Sequence, residues 1–214
     1  RAMTKTQQAS IEDTEKRFRE IVATGKDILH IAFSSGLSGT ANAARLAAEA
    51  VMADFPERRI VVIDSLCASL GQGLLVHHAL CKQQEGMSLD EVAQWVRDHV
   101  QNICHLFTVE DLKYLQRGGR ISKTTALVGT MIGIKPVLHV DAEGKLVSLS
   151  KVRGRKQSIQ ALVDKMEQNI GSWKNEKQPI FISHGDCMED AKKLEELLAG
   201  RRIFRPVNAG QIGS

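Results

Sequence analysis

The residues best suited to chemistry in this 214-residue chain lie together at positions 33–40, FSSGLSGT. Ser34, Ser35, Ser38 and Thr40 supply hydroxyl donors, and Gly36 and Gly39 let a ligand approach the backbone closely. An apolar run, ILHIAF at 28–33, enters this stretch, and an alanine-rich run, 41–53, leaves it. That is the outline of a β-strand delivering its turn onto a helix N-terminus. Unpaired N–H groups and the positive end of the helix dipole favour an anion there. The chemistry indicated is binding of a phosphate or carboxylate, although an ordinary capped βα turn would use the same residues. The stretch matches neither the P-loop pattern nor GxGxxG, so it implies no nucleotide.

Elsewhere the ionisable residues do not assemble into a catalytic set. His184 and Asp186 follow an apolar run, and a Ser-His-Asp reading can be written with Ser35, but there is no GxSxG elbow. No catalytic residue is assigned. His77 and His78 are adjacent and would point to different faces of a helix, and Cys67, Cys81, Cys104 and Cys187 form no CxxC pair, so no metal site is expected. Arg117 and Arg120 flank Gly118-Gly119, which suits either a guanidinium offered to an anion or surface salt bridges with Glu110 or Asp111. Arg153, Arg155 and Lys156 form a compact basic patch that could dock an acidic partner or simply be solvated.

The elements that must position these residues follow from periodicity. Ser10 is a plausible N-cap for a helix over 11–23, with Glu12 and Asp13 in its first turn. A strand over 28–33, the serine-rich turn and a helix over 40–53 come next. A second strand, 59–65, is apolar without alternation, as in a parallel strand covered on both faces. Asp64-Ser65 then falls at its C-terminal end, the edge where open α/β sheets bind ligands. The reading continues with a helix over 66–85, and another after Ser88, where SLDE forms a capping box. After Asn102 the pattern changes to a short strand in 104–109, a charged, partly helical 110–117, and a glycine-broken apolar run, 123–134. Strands over 135–140 and 146–152 flank the hairpin signal DAEGK. A helix over 158–170, a strand over 179–183 and a helix ending at Leu198 follow, and a last strand is expected to end about where the sequence stops, at Gly213-Ser214. The expected fold class is therefore α/β: a parallel α/β portion, residues 1–101, and an α+β portion, residues 102–214, with a mostly antiparallel sheet. Only two clear parallel strands precede the boundary, so further structure is expected beyond both ends.

Composition narrows the function. A hydrophobic content of 43% with 25% charged residues is ordinary for a soluble globular protein, and no apolar run approaches a membrane span. Four cysteines without disulfide density suit a reducing, cytoplasmic setting. A net charge of +4 spread along the chain gives little support for nucleic-acid binding. Aromatic content of only 4% leaves few stacking platforms, so an aliphatic ligand fits better than a base or sugar.

Several motifs, in order, resemble the DegV family of bacterial fatty-acid-binding proteins. They are KTQQAS at 5–10, FSSGLSGT, VIDS with SLGQG, DLKYLQRGGRIS at 111–122, ALVGTMIGIKPVLHVDAEGKL at 126–146, KVRGRKQSI at 151–159 and ISHGD at 182–186. The resemblance implies a two-domain fold, head-group loops in the first domain and an acyl pocket in the second. It implies a non-catalytic carrier that holds a long-chain fatty acid while a separate ATP-dependent fatty-acid kinase phosphorylates the carboxylate. By resemblance the head group would be held at Thr6 and Ser35, with Ser34, Ser38 and Gly39 alongside. Arg120, Arg153 and Arg155 would meet the kinase or the acyl-phosphate. Ala126, Leu127, Met131, Ile132 and Ile134 are candidates for the acyl pocket. No cofactor is implied beyond the lipid. In this chain Gln7 stands where the family usually has a serine, and the family's opening strand and its glycine-histidine-glycine-proline motif would lie outside the sequence. Roughly sixteen buried CH₂ groups at about 0.8 kcal/mol each could hold such a lipid tightly before ordering costs are subtracted. The other readings are an enzyme of related two-domain architecture acting on a small phosphorylated or acyl substrate, and a regulatory module containing a structural lipid.

Overall fold

A computed structural model describes residues 7–122, 133–176, 178–201 and 204–211. Strands β1 (Ile28–Ala32) and β2 (Ile60–Asp64) pair in parallel, Ile28 opposite Ile60 and Ala32 opposite Asp64. Both strands are buried from two sides, as their unbroken apolar runs predict. Helices α1 (Ile11–Val22) and α2 (Thr40–Asp54) cover one face, packing Phe18, Val22, Ala44, Ala47, Ala48 and Val51 against Ile28 and Ile60. Helices α3 (Ser69–Gln84) and α4 (Leu89–His99) cover the other, where Leu75, Ala79, Val92 and Val96 meet Ile31 and Ile63. The alanines of α2 keep its backbone close to the sheet. That places its N-terminus against the strand ends.

Caps set the helix boundaries. Ser10 Oγ accepts the Asp13 N–H at 3.0 Å to open α1. Ser88 and Glu91 form the reciprocal capping box of α4. The third helix begins at Ser69 rather than at residue 66. Ahead of it the Asp64 carboxylate accepts the Leu66 N–H at 3.0 Å and Ser65 Oγ accepts the Cys67 N–H at 3.1 Å, while Leu66 and Ser69 both adopt φ of 50°. Side-chain bonds to the backbone there displace the first helical turn.

Past a 3₁₀ turn at Val100–Asn102, strands β3 (Leu106–Thr108), β4 (Ile134–Val140) and β5 (Leu146–Arg153) form an antiparallel sheet in the order β3-β4-β5. A short helix α5 (Lys113–Arg117) follows β3. Helix α6 (Arg155–Asn169), strand β6 (Gln178–His184), helix α7 (Met188–Ala199) and strand β7 (Phe204–Gln211) complete the described chain. β6 and β7 pair in parallel, joined through α7. The second portion thus mixes an antiparallel sheet with one parallel pair. The two halves touch where β6 leans on α3: the His77 and Phe181 rings lie 5.6 Å apart, and Ser69 Oγ and Ser183 Oγ are 3.1 Å apart. His78 faces α4 instead, 5.9 Å from the Trp95 ring, so the two adjacent histidines do face different neighbours.

Candidate functional site

The turn 33–40 stands at the C-terminal ends of β1 and β2, between β1 and the first residue of α2. Gly39 is the N-cap of α2; no side chain at that position caps the helix, and its first turn holds no acidic residue. Ser38 Oγ lies 2.8 Å from Thr40 Oγ1 and 3.3 Å from the Thr40 nitrogen. Ser35 is exposed, and its N–H donates to the Asp64 carboxylate at 3.1 Å. Among the described residues its hydroxyl has no partner. Asp64 therefore organises the turn by joining the ends of the two parallel strands, a role its position at a strand terminus hinted at without assigning.

Ser34 sits beneath this surface, fully buried. Its hydroxyl donates to the Gly144 carbonyl at 2.8 Å and accepts the Gly36 N–H at 3.1 Å. The turn joining β4 and β5 is thereby docked under the turn 33–40. The first loop also arrives here: a Cβ on Gly39 would lie 2.2 Å from Gln8 Oε1, so the Gln8 side chain covers Gly39. Gln8 and Gly144 were both missed as site residues. Gln8 lies in the KTQQAS stretch two residues from Thr6, and Gly144 lies in a hairpin signal with nothing local to say what the hairpin touches. Thr6 itself lies outside the described residues, as do Ala126, Leu127, Met131 and Ile132. Ile134 is half-buried at the start of β4, opposite Arg153 of β5.

The arginines stand apart from the turn. Arg153 is exposed at the far end of β5, roughly 23 Å from Leu146 at about 3.3 Å per residue, so it does not share a head-group ligand with Ser35. Arg155 Nε donates to Asp190 at 2.8 Å, tying α6 to α7. Arg120 is half-buried and donates to the Gly118 carbonyl, and Arg117 lies 6.0 Å from the Tyr114 ring centroid. The salt bridges expected between these two arginines and Glu110 or Asp111 are replaced. Lys135 takes Glu110, and Lys113 takes Asp111 at 3.3 Å, because those lysines lie nearer in the sheet and in the chain.

The candidate triad does not form as written. The His184 ring accepts the Cys187 N–H through Nδ1 at 3.3 Å, and the Ser35 N–H is engaged by Asp64 rather than Asp186. Among the described residues, no group of three His, Cys, Asp or Glu side chains is placed to hold a metal ion, and no helix is long and apolar enough to cross a membrane. Cys67, behind the turn, is buried, and burial pushes its thiol up to about 12 despite an opposing hydrogen bond with Ser65.

The fold and the site together define an α/β protein with a glycine-started helix N-terminus at the end of a parallel strand pair, docked on a hairpin from an antiparallel sheet. A family model described as an uncharacterised protein of the DegV family matches residues 1–214. The chain belongs to the DegV family. It is 41% identical over 196 residues to the DegV domain-containing protein CPE0026 of Clostridium perfringens, covering 92% of this chain and 67% of that protein. Among solved structures it resembles a DegV lipid-binding protein from Thermotoga maritima, with a TM-score of 0.85 and 28% identity over 99% of this chain and 72% of that one. It also resembles the fatty acid kinase (Fak) B3 protein of Streptococcus pneumoniae, loaded with linoleic acid. There the TM-score is 0.85 and the identity 26%, over 96% of this chain and 70% of that one. The chain thus spans about two thirds of the length of these relatives.

Proposed function

We propose that this chain binds a long-chain fatty acid with its carboxylate at the turn 33–40, and presents that carboxylate to a separate ATP-dependent fatty-acid kinase. In this reading it is a carrier that contributes no catalytic residue and needs no cofactor other than the lipid. The observation that carries it is the N-terminus of α2, which has no side-chain cap from Gly39 and no acidic residue in its first turn, with the Gln8 side chain over Gly39 and exposed Ser35 in the same turn. Such a site suits a carboxylate, which only accepts hydrogen bonds and gains from the helix dipole. The linoleic acid held by the pneumococcal neighbour supports the same ligand class.

The roles divide accordingly. Ser35, Ser38 and Gly39 face the head group, with Thr6 joining from the first loop. Residues 1–101 carry the head-group loops. Residues 102–214 supply the acyl wall, for which Ala126, Leu127, Met131, Ile132 and Ile134 remain the candidates. Arg153, exposed a strand's length from the turn, and Arg120 suit contact with the kinase surface better than contact with the head group. Arg155 serves the same surface through its bond to Asp190.

Direct titration of oleate into the protein and into Ser35→Ala tests this. Loss of a charge-assisted hydrogen bond should weaken binding about tenfold or more. Equal affinity would refute the assignment of the head group to this turn.

A further inference from the structure

Ser34 and Ser35 are neighbours in sequence with opposite fates. The Ser34 hydroxyl carries a single proton, and that proton is directed at the buried Gly144 carbonyl 2.8 Å away. A carboxylate offers only acceptors, so Ser34 has nothing left to donate to one unless it abandons Gly144. No space lies between the two turns for a ligand atom to intervene. A Cβ on Gly36 would stand 2.6 Å from the Glu143 carbonyl oxygen, and one on Gly144 would stand 2.1 Å from Ser34 Oγ and 3.1 Å from Leu66 Cα.

The hairpin turn is itself held in shape. Asp141 Oδ1 accepts the N–H groups of Glu143 and Lys145, both at 2.9 Å. Gln101 Nε2 donates to the Ala142 carbonyl at 3.0 Å, tying the same turn to the 3₁₀ turn Val100–Asn102 that follows α4. On the other side, the N–H groups of Leu37 and Ser38 both reach the Ser34 carbonyl at 3.1 Å, so the backbone of the serine turn is wound around Ser34. Ser34 is the residue common to both turns.

From this arrangement we infer that Ser34 is a positioning residue and not a ligand. Through Gly144 it locks the hairpin turn 141–145 under the serine turn, and so fixes where Ser35 and Gly39 stand toward an anionic head group. The head-group part rests on the fatty-acid reading above; the lock between the two turns does not.

Two measurements on the whole chain separate these parts, using wild type, Ser34→Ala, Gln101→Ala and the double variant. Amide hydrogen exchange reads the lock without lipid. Ser34→Ala should speed exchange at Glu143 and Lys145 about tenfold. Gln101→Ala, an exposed change that leaves Ser34 in place, should speed exchange at Leu37 and Ser38 in return. Unchanged exchange at Leu37 and Ser38 in Gln101→Ala would overturn the lock even if Ser34→Ala failed to fold. Titration with oleate and with methyl oleate reads the positioning. Both single variants should weaken oleate severalfold and leave methyl oleate unmoved. The double variant should be no weaker than about the worse single one, because both act through one hairpin. A Gln101→Ala protein that binds oleate like wild type, beside a weakened Ser34→Ala, would make Ser34 a direct ligand and overturn the inference. A wild-type protein that takes up no oleate would refute the fatty-acid reading, with the exchange result still deciding the lock.

Discussion

Replacing Gly36 by alanine would drive a methyl group into the backbone of the hairpin turn. Its Cβ would lie 2.6 Å from the Glu143 oxygen and 2.8 Å from both the carbonyl carbon and oxygen of Gly144. These are main-chain atoms, unable to rotate aside, so the two turns must separate. Overpacking of this kind costs about 1–3 kcal/mol, and losing the Ser34–Gly144 hydrogen bond adds about 1 kcal/mol. A total of about 2–4 kcal/mol should lower the thermal midpoint of a chain this size by about 4 to 16 °C. Gly185→Ala is the matched control: nothing lies within 4 Å of its Cβ position, and its backbone is not left-handed. There alanine should be neutral or stabilise by up to about 1 kcal/mol, through the unfolded chain. Thermal and urea unfolding, followed by circular dichroism, would compare the two. A Gly36→Ala protein within about 0.5 kcal/mol of wild type, or an equal loss in Gly185→Ala, would refute the docked arrangement of the turns.

Three further outcomes follow from burial and charge. In the native protein Cys67, buried and with its thiol raised to about 12, should resist a thiol reagent at pH 8 while exposed Cys104 reacts; equal rates would contradict the placement of Cys67 behind the turn. Burial holds His30 and His105 below the ordinary value of about 6.5, with the Ile103 and Ala68 carbonyls partly offsetting the effect at His105. The unfolded chain then binds more protons than the folded one, so stability should fall as pH drops through 6.5 and level off below the folded values. A urea midpoint unchanged between pH 7 and pH 5 would count against their burial. Leu75→Ala empties a fully buried site between α3 and the sheet and should cost about 2–5 kcal/mol, checked by urea unfolding; a loss under about 1 kcal/mol would place Leu75 outside the core.

The parallel half was legible because its signals are local. The runs at 28–33 and 59–65 are apolar on both faces, and Ser10 and the Ser88–Glu91 pair announce their helices through short-range hydrogen bonds. α3 starts later than its apolar periodicity predicts, because at 66–68 the carboxylate of Asp64 and the hydroxyl of Ser65 claim backbone N–H groups first. The serine turn was visible as a strand-to-helix turn whose residue types suit an anion. Its partners were not. Ser34 and Gly144 lie 110 positions apart, and no periodicity or spacing encodes a contact of that separation. The same limit applies to Arg155, whose basic neighbours suggested a free patch although its guanidinium is engaged by Asp190 from the next helix.

The most direct test of the central claim is mass spectrometry of an organic extract from the freshly purified protein. Carriage of a fatty acid predicts a long-chain fatty acid at close to one per chain, released on extraction and replaceable by added oleate. A protein that yields no such lipid and takes up neither oleate nor palmitate would contradict the claim for this chain.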